Sequence, residues 1–522
     1  ISAGLPSRPA TRVCASRFSI HLRAMPDMKT RCLQMPFNPR DSVARSLAWS
    51  FLEQGGSKVV TLFVQIVLAR ILAPEEFGIM AILLVLVNVA DAVSQSGLGT
   101  ALIQKSKTTD VECSTAFWLS MAVASLLFCL LFTVAPVVSA FYGERSFTPL
   151  LRVLSVVIVF NSMNSILRSR LQSAMDFKGL FKANVLAIVV SSAFGVGLAL
   201  SGFGIWALVI QVVSQSACAT LMLYLAASWR PSLLFDREAA KELFGYGWKI
   251  CATGILNVLY MGASDLIIGK ACSTGDLGYY SQGRKWPGAV VSIASNALQN
   301  VFFPVFSSLK DDRPALVRMM RACLLSGSLV VVPAAFFCAA SAEPIVALLL
   351  TEKWLPSVPI FQMACLSNSV LLLQLVNLRA YMALGRSGLY LKLQVVKVVL
   401  GGVVICAAAA VSKDIYVVSF FTAATAVLSV LLVDMQPAMR FVGYSRSCQL
   451  KDSLPIYLLS TAAAVAAFCV SFAGLSYGAQ LLFEATVFSL IYIGGIKLLN
   501  IEGAKDFKNL AKRLLHEKDE KL

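Results

Sequence analysis

Lys58, Asp91, Arg284 and Lys285 carry charge inside stretches that are otherwise apolar. A bilayer span takes about 20 apolar residues, and the runs Leu47 to Ile71, Ile79 to Ile103 and Gly278 to Phe306 that hold these charges are all that long. A charge at membrane depth is costly and marks a pathway or a binding site by default. Lys58, Arg284 and Lys285 therefore point to an anionic cargo, held where charge attraction is stronger than in water. Each has a plainer reading. Arg284 and Lys285 stand about 10 Å inside their helix start, at about 1.5 Å per residue, so their stems could snorkel outward. Asp91 could neutralise Lys58, or could hold a proton or a sodium ion. Asp265 and Glu53 join Asp91 as ion-coupling candidates; both lie nearer segment ends, as do Asp434 and Glu484, where charges are more often interfacial.

These charges belong to stripes. Gln54, Lys58, Thr61 and Gln65 recur at helical spacing, and so do Asn88, Asp91, Gln95 and Gly99. A second set repeats the pattern: Thr253, Asn257, Tyr260 and Ser264, with Asp265 alongside, then Ser281, Lys285, Gly288, Ser292, Ser295 and Gln299, with Arg284 adjacent. Lipid cannot solvate such faces, so four helices must turn them into a protein cavity.

Composition excludes other chemistry. The chain is 57% hydrophobic and 14% charged, against about 25% charge in soluble domains, and its mean hydropathy is +0.75. The net charge of +17 has no basic cluster interleaved with stacking aromatics, which speaks against nucleic acid and for topology and anionic lipid. His21 and His516 lie outside the apolar runs, and the 13 cysteines are scattered without a Cys-x-x-Cys pair. No metal site, cofactor or Ser-His hydrolase is expected.

The expected fold is all-α: a polytopic membrane protein of about 14 spans. Residues 46–228 form a first lobe of six helices, 229–247 a charged cytoplasmic connector, 248–436 a second lobe of six, and 437–499 an added hairpin. Residues 1–45 read as a basic extension without a folded element, either upstream over-translation ahead of Met25, Met28 or Met35 or a transit peptide. Residues 500–522 read as a basic amphipathic tail on the cytoplasmic leaflet or on the bundle's base. Basic residues gather in alternate loops, which places both termini in the cytoplasm.

The two lobes repeat. Ala69-Arg70-Ile71 and Gly78 match Gly269-Lys270-Ala271 and Gly278 at an offset of 200, and Pro136-Val137-Val138 matches Pro344-Ile345-Val346 at 208. Six spans per copy is an even number, so the copies run parallel, an arrangement that puts a substrate site between them.

The run Val67 to Gly78, the stretch Phe302-Phe303-Pro304-Val305-Phe306 with Asp311-Asp312, and Glu352-Lys353-Trp354 resemble the polysaccharide transporter family. Within it the chain is similar to the Wzx-type colanic acid and lipopolysaccharide exporters of the multidrug/oligosaccharidyl-lipid/polysaccharide flippase superfamily. The resemblance covers roughly Ser46 to Leu499. It implies a bacterial inner-membrane flippase, not an enzyme, that moves polyprenyl-diphosphate-linked sugar repeat units by alternating access. Polysaccharide polymerase and chain-length regulator proteins would be its partners beside membrane lipids. On that reading Lys58, Arg284 and Lys285 would hold the diphosphate, and Gln54, Gln65, Asn88, Asn257 and Gln299 the sugars. The alternatives are a multidrug-type cation antiporter, which would line its cavity with acids and aromatics, and a membrane lipid-sugar transferase or polymerase, which would need paired acids or a long outer loop.

Overall fold

Residues 56–95, 109–174, 176–227 and 229–499 are described by a computed structural model, apart from the side chains of 242–250, 253, 290–304 and 387. Glu53, Gln54, the extension 1–45, the tail 500–522 and the side chain of Gln299 lie outside them. Among the described residues there is no strand.

The first group holds α1 (56–71), α2 (Pro74–Gln95), α3 (Asp110–Tyr142), α4 (Phe147–Ser173), α5 (Phe177–Leu200) and α6 (Ile205–Ala226). The second holds α7 (Arg237–Ala271), α8 (Thr274–Ser308), α9 (Arg313–Ala340), α10 (Ala342–Leu350), α11 (Val358–Ser369), α12 (Leu371–Ala383), α13 (Ser387–Ser412) and α14 (Ile415–Ser429), the last running on as a π turn, Val430–Asp434. The short α15 (Ala438–Phe441) precedes a hairpin of α16 (Arg446–Cys469) and α17 (Tyr477–Leu498). Among the described residues eleven helical segments are long and apolar enough to cross a membrane.

Local sequence sets the ends. Thr109 and Ser273 close capping boxes with Glu112 and Asp276, and Asp236, Asp312, Asp414 and Ser445 cap the helices that follow them. Gly143 ends α3 with φ +80°, a left-handed turn that a Cβ would strain. Three expected boundaries move. The seventh helix starts at Arg237, so the second half of the expected connector is its first turns. The apolar run 322–350, expected to break at Glu343-Pro344, breaks at Ser341 into α9 and α10, and the apolar run 358–383, expected as one span, breaks at Val370 into α11 and α12. Pro333 does not interrupt α9.

Within the first group α5 packs on α6, α3 on α4 and α4 on α6. Within the second, α8 packs on α11 and α12, and α13 on α14 and α7. The groups meet where α2 lies along α7 and α8, and one apolar cluster crosses that seam: Leu68, Phe77, Leu83 and Ile158 from one side, Leu277, Tyr280, Trp354 and Val418 from the other. The hairpin docks on α9, with Phe488 edge-on to Phe337 at 5.4 Å and Tyr492 Oη donating to the Leu329 carbonyl at 3.0 Å. Glu484 therefore does not sit at the interface as expected. It is 0% exposed and accepts from Gln480 at 2.8 Å.

Candidate functional site

The two groups are bolted together at one end, the end carrying the turns after α1, α3, α7 and α10. Arg70, last but one in α1, donates from Nε to the Leu349 carbonyl at 2.9 Å and from its terminal nitrogen to that of Leu348. Lys270, last but one in α7, donates to the Phe141 carbonyl of α3 and lies over its ring. Arg70 and Lys270 are 200 residues apart and Phe141 and Leu349 are 208 apart, the two offsets of the sequence repeat. One device has been built twice, each copy reaching into the opposite group.

A further contact has no twin among the described residues. The 3-10 turn Glu352–Ser357 presses on the end of α1: Trp354, 0% exposed, donates to the Ala69 carbonyl at 2.8 Å, and Lys353 Nζ to those of Arg70 and Leu72 at 2.9 and 2.8 Å. Phe77 and Tyr279 close edge-on around the indole, at 5.5 and 6.0 Å. The residue leading into this turn, Thr351, has φ +88°. Beside it Cys272 donates to the Lys413 carbonyl; burial, with Asp276 and Asp414 nearby, pushes its thiol up, so it stays protonated and inert.

Below the bolted end the charges are sorted by helix face. Lys285, exposed on α8, donates to Gln65 Oε1 of α1 at 2.7 Å and is close enough to Lys58 to feel its charge. Lys58, Gln65 and Lys285 thus lie near one another where the two groups meet. Among the described residues neither lysine is paired with an acid. Asp91 does not neutralise Lys58: its Oδ2 accepts from Gln95 at 2.8 Å and from Asn161 of α4 at 3.2 Å, and its Oδ1 is buried without a partner. Asn88 is exposed on α2.

Arg284 is turned into the second group instead. It forms a salt bridge with Asp265 at 3.0 Å, donates to the Met261 carbonyl at 3.2 Å and lies 5.2 Å from the Tyr280 ring centroid, all within the second group. Asp265 is thereby committed to a guanidinium. Asn257 lines a separate small cavity of about 40 Å³ with Tyr260, Tyr390 and Gln394.

The periodicity missed the deepest pair. Lys397 of α13 and Asp434, at the end of the π turn, meet at 3.0 Å with side chains 1% and 0% exposed. Tyr381 Oη donates to the Asp434 carbonyl at 2.8 Å, and Asp434 Oδ1 has no partner. Asp434 is therefore not interfacial. A lone lysine within the apolar run 393–411 was the available signal.

The family described as polysaccharide biosynthesis protein matches residues 67–359. The chain belongs to that family. It is 26% identical to a succinoglycan biosynthesis transport protein of Rhizobium meliloti, over 63% of this chain and 67% of that one. It is 26% identical to a teichuronic acid biosynthesis protein of Bacillus subtilis, over 58% and 62%, and 24% identical to a lipopolysaccharide biosynthesis protein of Escherichia coli, over 57% and 61%. The chain thus spans between 61% and 67% of these relatives' lengths. Its fold is that of the lipid II flippase MurJ in an inward closed conformation, with TM-score 0.67, 14% identity and coverage of 87% of this chain and 99% of that one. An inward-facing multidrug resistance transporter of the MATE family is also similar, with TM-score 0.54, 13% identity and coverage of 76% and 96%. The chain is a multi-pass membrane protein, and its family match includes the bolted contacts from Leu68 to Trp354.

Proposed function

We propose that this protein moves polyprenyl-diphosphate-linked sugar repeat units across a bacterial inner membrane by alternating access, and that it makes and breaks no covalent bond. One observation carries the reading: two lysines from different helix groups, Lys58 and Lys285, stand near one another where the groups meet, without an acidic partner among the described residues, while the groups are bolted together at one end. Two ammonium groups in a low-dielectric setting suit a diphosphate. On this reading fourteen helices cross the membrane as two parallel six-span lobes and a hairpin, both termini are cytoplasmic, and the bolted end faces outward. A cleft at the two lysines then takes cargo from the inside, and the lobes rock to release it. The relatives' roles in succinoglycan, teichuronic acid and lipopolysaccharide biosynthesis support a lipid-linked sugar as cargo, and polymerase and chain-length proteins would act on it next.

The test is reconstitution. Vesicles containing the protein should relocate an added polyprenyl-diphosphate oligosaccharide between leaflets and return it chemically unchanged, and the Lys58→Gln/Lys285→Gln variant should not. Relocation that survives loss of both charges, or the appearance of a new product, would sink the proposal.

A further inference from the structure

The second group holds a half-open chamber of about 210 Å³ between α7, α8, α11, α12, α13 and α14. Water occupies about 30 Å³ per molecule in the liquid, so the space equals about seven waters, enough for one monosaccharide ring. Its wall has an unusual polarity. Ser419, Thr422, Thr425 and Ser429 of α14 each donate to a carbonyl of their own helix, at 2.6–2.8 Å, and Ser367 of α11 does the same at 3.0 Å. Their protons are spoken for, so these hydroxyls offer the chamber lone pairs. The amides of Asn368 and Gln374 also line it, with no hydrogen bond to the protein among the described residues. Tyr280, 2% exposed, has its hydroxyl near the Arg284 guanidinium without a hydrogen bond of acceptable geometry.

This lining selects by charge. The one cation, Arg284, is offset by Asp265 at 3.0 Å, so the wall carries no net charge to hold an anion. A metal ion would need free carboxylates, and Asp265 is occupied. A ligand rich in O–H donors with an apolar ring face fits instead, since Ile360, Met363, Ile405 and the Tyr260 ring complete the lining.

We propose that the chamber is a subsite for one neutral sugar ring of the cargo, separate from the proposed diphosphate site. The proposal rests on the flippase reading for its physiological ligand. Arg284 and Lys285 are consecutive on α8, so a single helical turn carries the chamber on one face and Lys285 on another.

The experiment uses full-length protein in lipid nanodiscs, with methyl glucoside, glucuronate and inorganic pyrophosphate as probes. Saturation-transfer NMR should show methyl glucoside in contact with the protein and glucuronate at least several-fold weaker. Thr422→Val/Thr425→Val/Ser429→Ala keeps side-chain shape and removes three acceptors; it should lower the methyl glucoside signal about tenfold while phosphorus line broadening of pyrophosphate is unchanged. Gln374→Leu, on a different helix, should lower the sugar signal as well. Lys58→Gln/Lys285→Gln should do the reverse, abolishing pyrophosphate broadening and keeping the sugar signal. A missing methyl glucoside signal with normal pyrophosphate binding, or a signal that survives both sets of chamber variants, overturns the proposal. If chamber variants remove the sugar signal but the protein moves no lipid, the chamber stands and the flippase reading falls.

Discussion

Gly78 and Gly278 face one another across the seam between the two helix groups, each where the other's helix begins. A Cβ on Gly78 would lie 1.8 Å from the Thr274 carbonyl oxygen, and one on Gly278 would lie 1.9 Å from that of Pro74. The four residues form two pairs at the repeat offset of 200, Pro74 with Thr274 and Gly78 with Gly278. The contact is therefore its own mirror under exchange of the copies, and only hydrogen at both positions allows backbone to touch backbone.

Gly78→Ala and Gly278→Ala should each push α2 and α8 apart at the bolted end. Overpacking of this kind typically destabilises by about 1–3 kcal/mol. Spin-label distances across the seam should lengthen in either variant, and the double variant should cost less than the sum of the singles, because the first methyl has already opened the contact. Unchanged distances in both singles would refute the close approach.

Arg70→Ala and Lys270→Ala remove matching bonds to carbonyls of the opposite group. A hydrogen bond to a charged group is worth about 1.5–3 kcal/mol, with less expected here because both side chains are exposed. Each should raise the population parted at this end by a similar factor, read from the same labels, and their effects should add. A large difference between them would show that the twofold relation is geometric only.

Lys58→Gln should lower lipid relocation about ten- to a hundredfold, the loss of one charge-assisted contact. Because Asp91 bonds to Gln95 and Asn161, adding Asp91→Asn should not restore activity. Recovery in Lys58→Gln/Asp91→Asn would mean that the two charges do neutralise each other.

Lys397→Met or Asp434→Asn alone leaves one buried charge or its site unmatched, and should destabilise by about 3–5 kcal/mol, whereas Lys397→Met/Asp434→Leu should come close to the wild type. Thermal unfolding in nanodiscs measures this. Relocation assayed at equal folded amounts then tells whether the pair serves structure alone.

The repeat was legible because it is written in residue identity: Ala69-Arg70-Ile71 against Gly269-Lys270-Ala271 already paired the bolts and the glycines behind them. Helical spacing likewise picked out Lys58, Gln65, Lys285 and Asp91. It could not choose between Arg284 and Lys285. Adjacent residues point about 100° apart on a helix, at about 3.6 residues per turn, and which wall each meets depends on neighbours that only the fold supplies. Asp434 was misplaced for a local reason: the apolar run ends at Val433, which reads as a membrane surface, whereas a π turn carries the carboxylate inward to Lys397. Boundaries shifted because Val370 interrupts a helix without glycine and because a charged first turn, Arg237 to Lys241, continues into an apolar helix, whereas the break at Ser341 was legible from Glu343-Pro344 just beyond it.

Thr351 gives the seam a preload. A β-branched residue at φ +88° and ψ 166° is wound against its own side chain, a conformation that stores about 1–3 kcal/mol. It is clamped from both sides, by Arg70 on Leu348 and Leu349 before it and by Lys353 and Trp354 seated on α1 after it. In the proposed rocking motion those clamps would let go together and the backbone would be free to recoil, so the unwinding of one threonine would offset part of the bonding lost. The closed end is in this sense a cocked spring. Thr351→Gly would slacken it and leave the protein slower to open, with every contact in place.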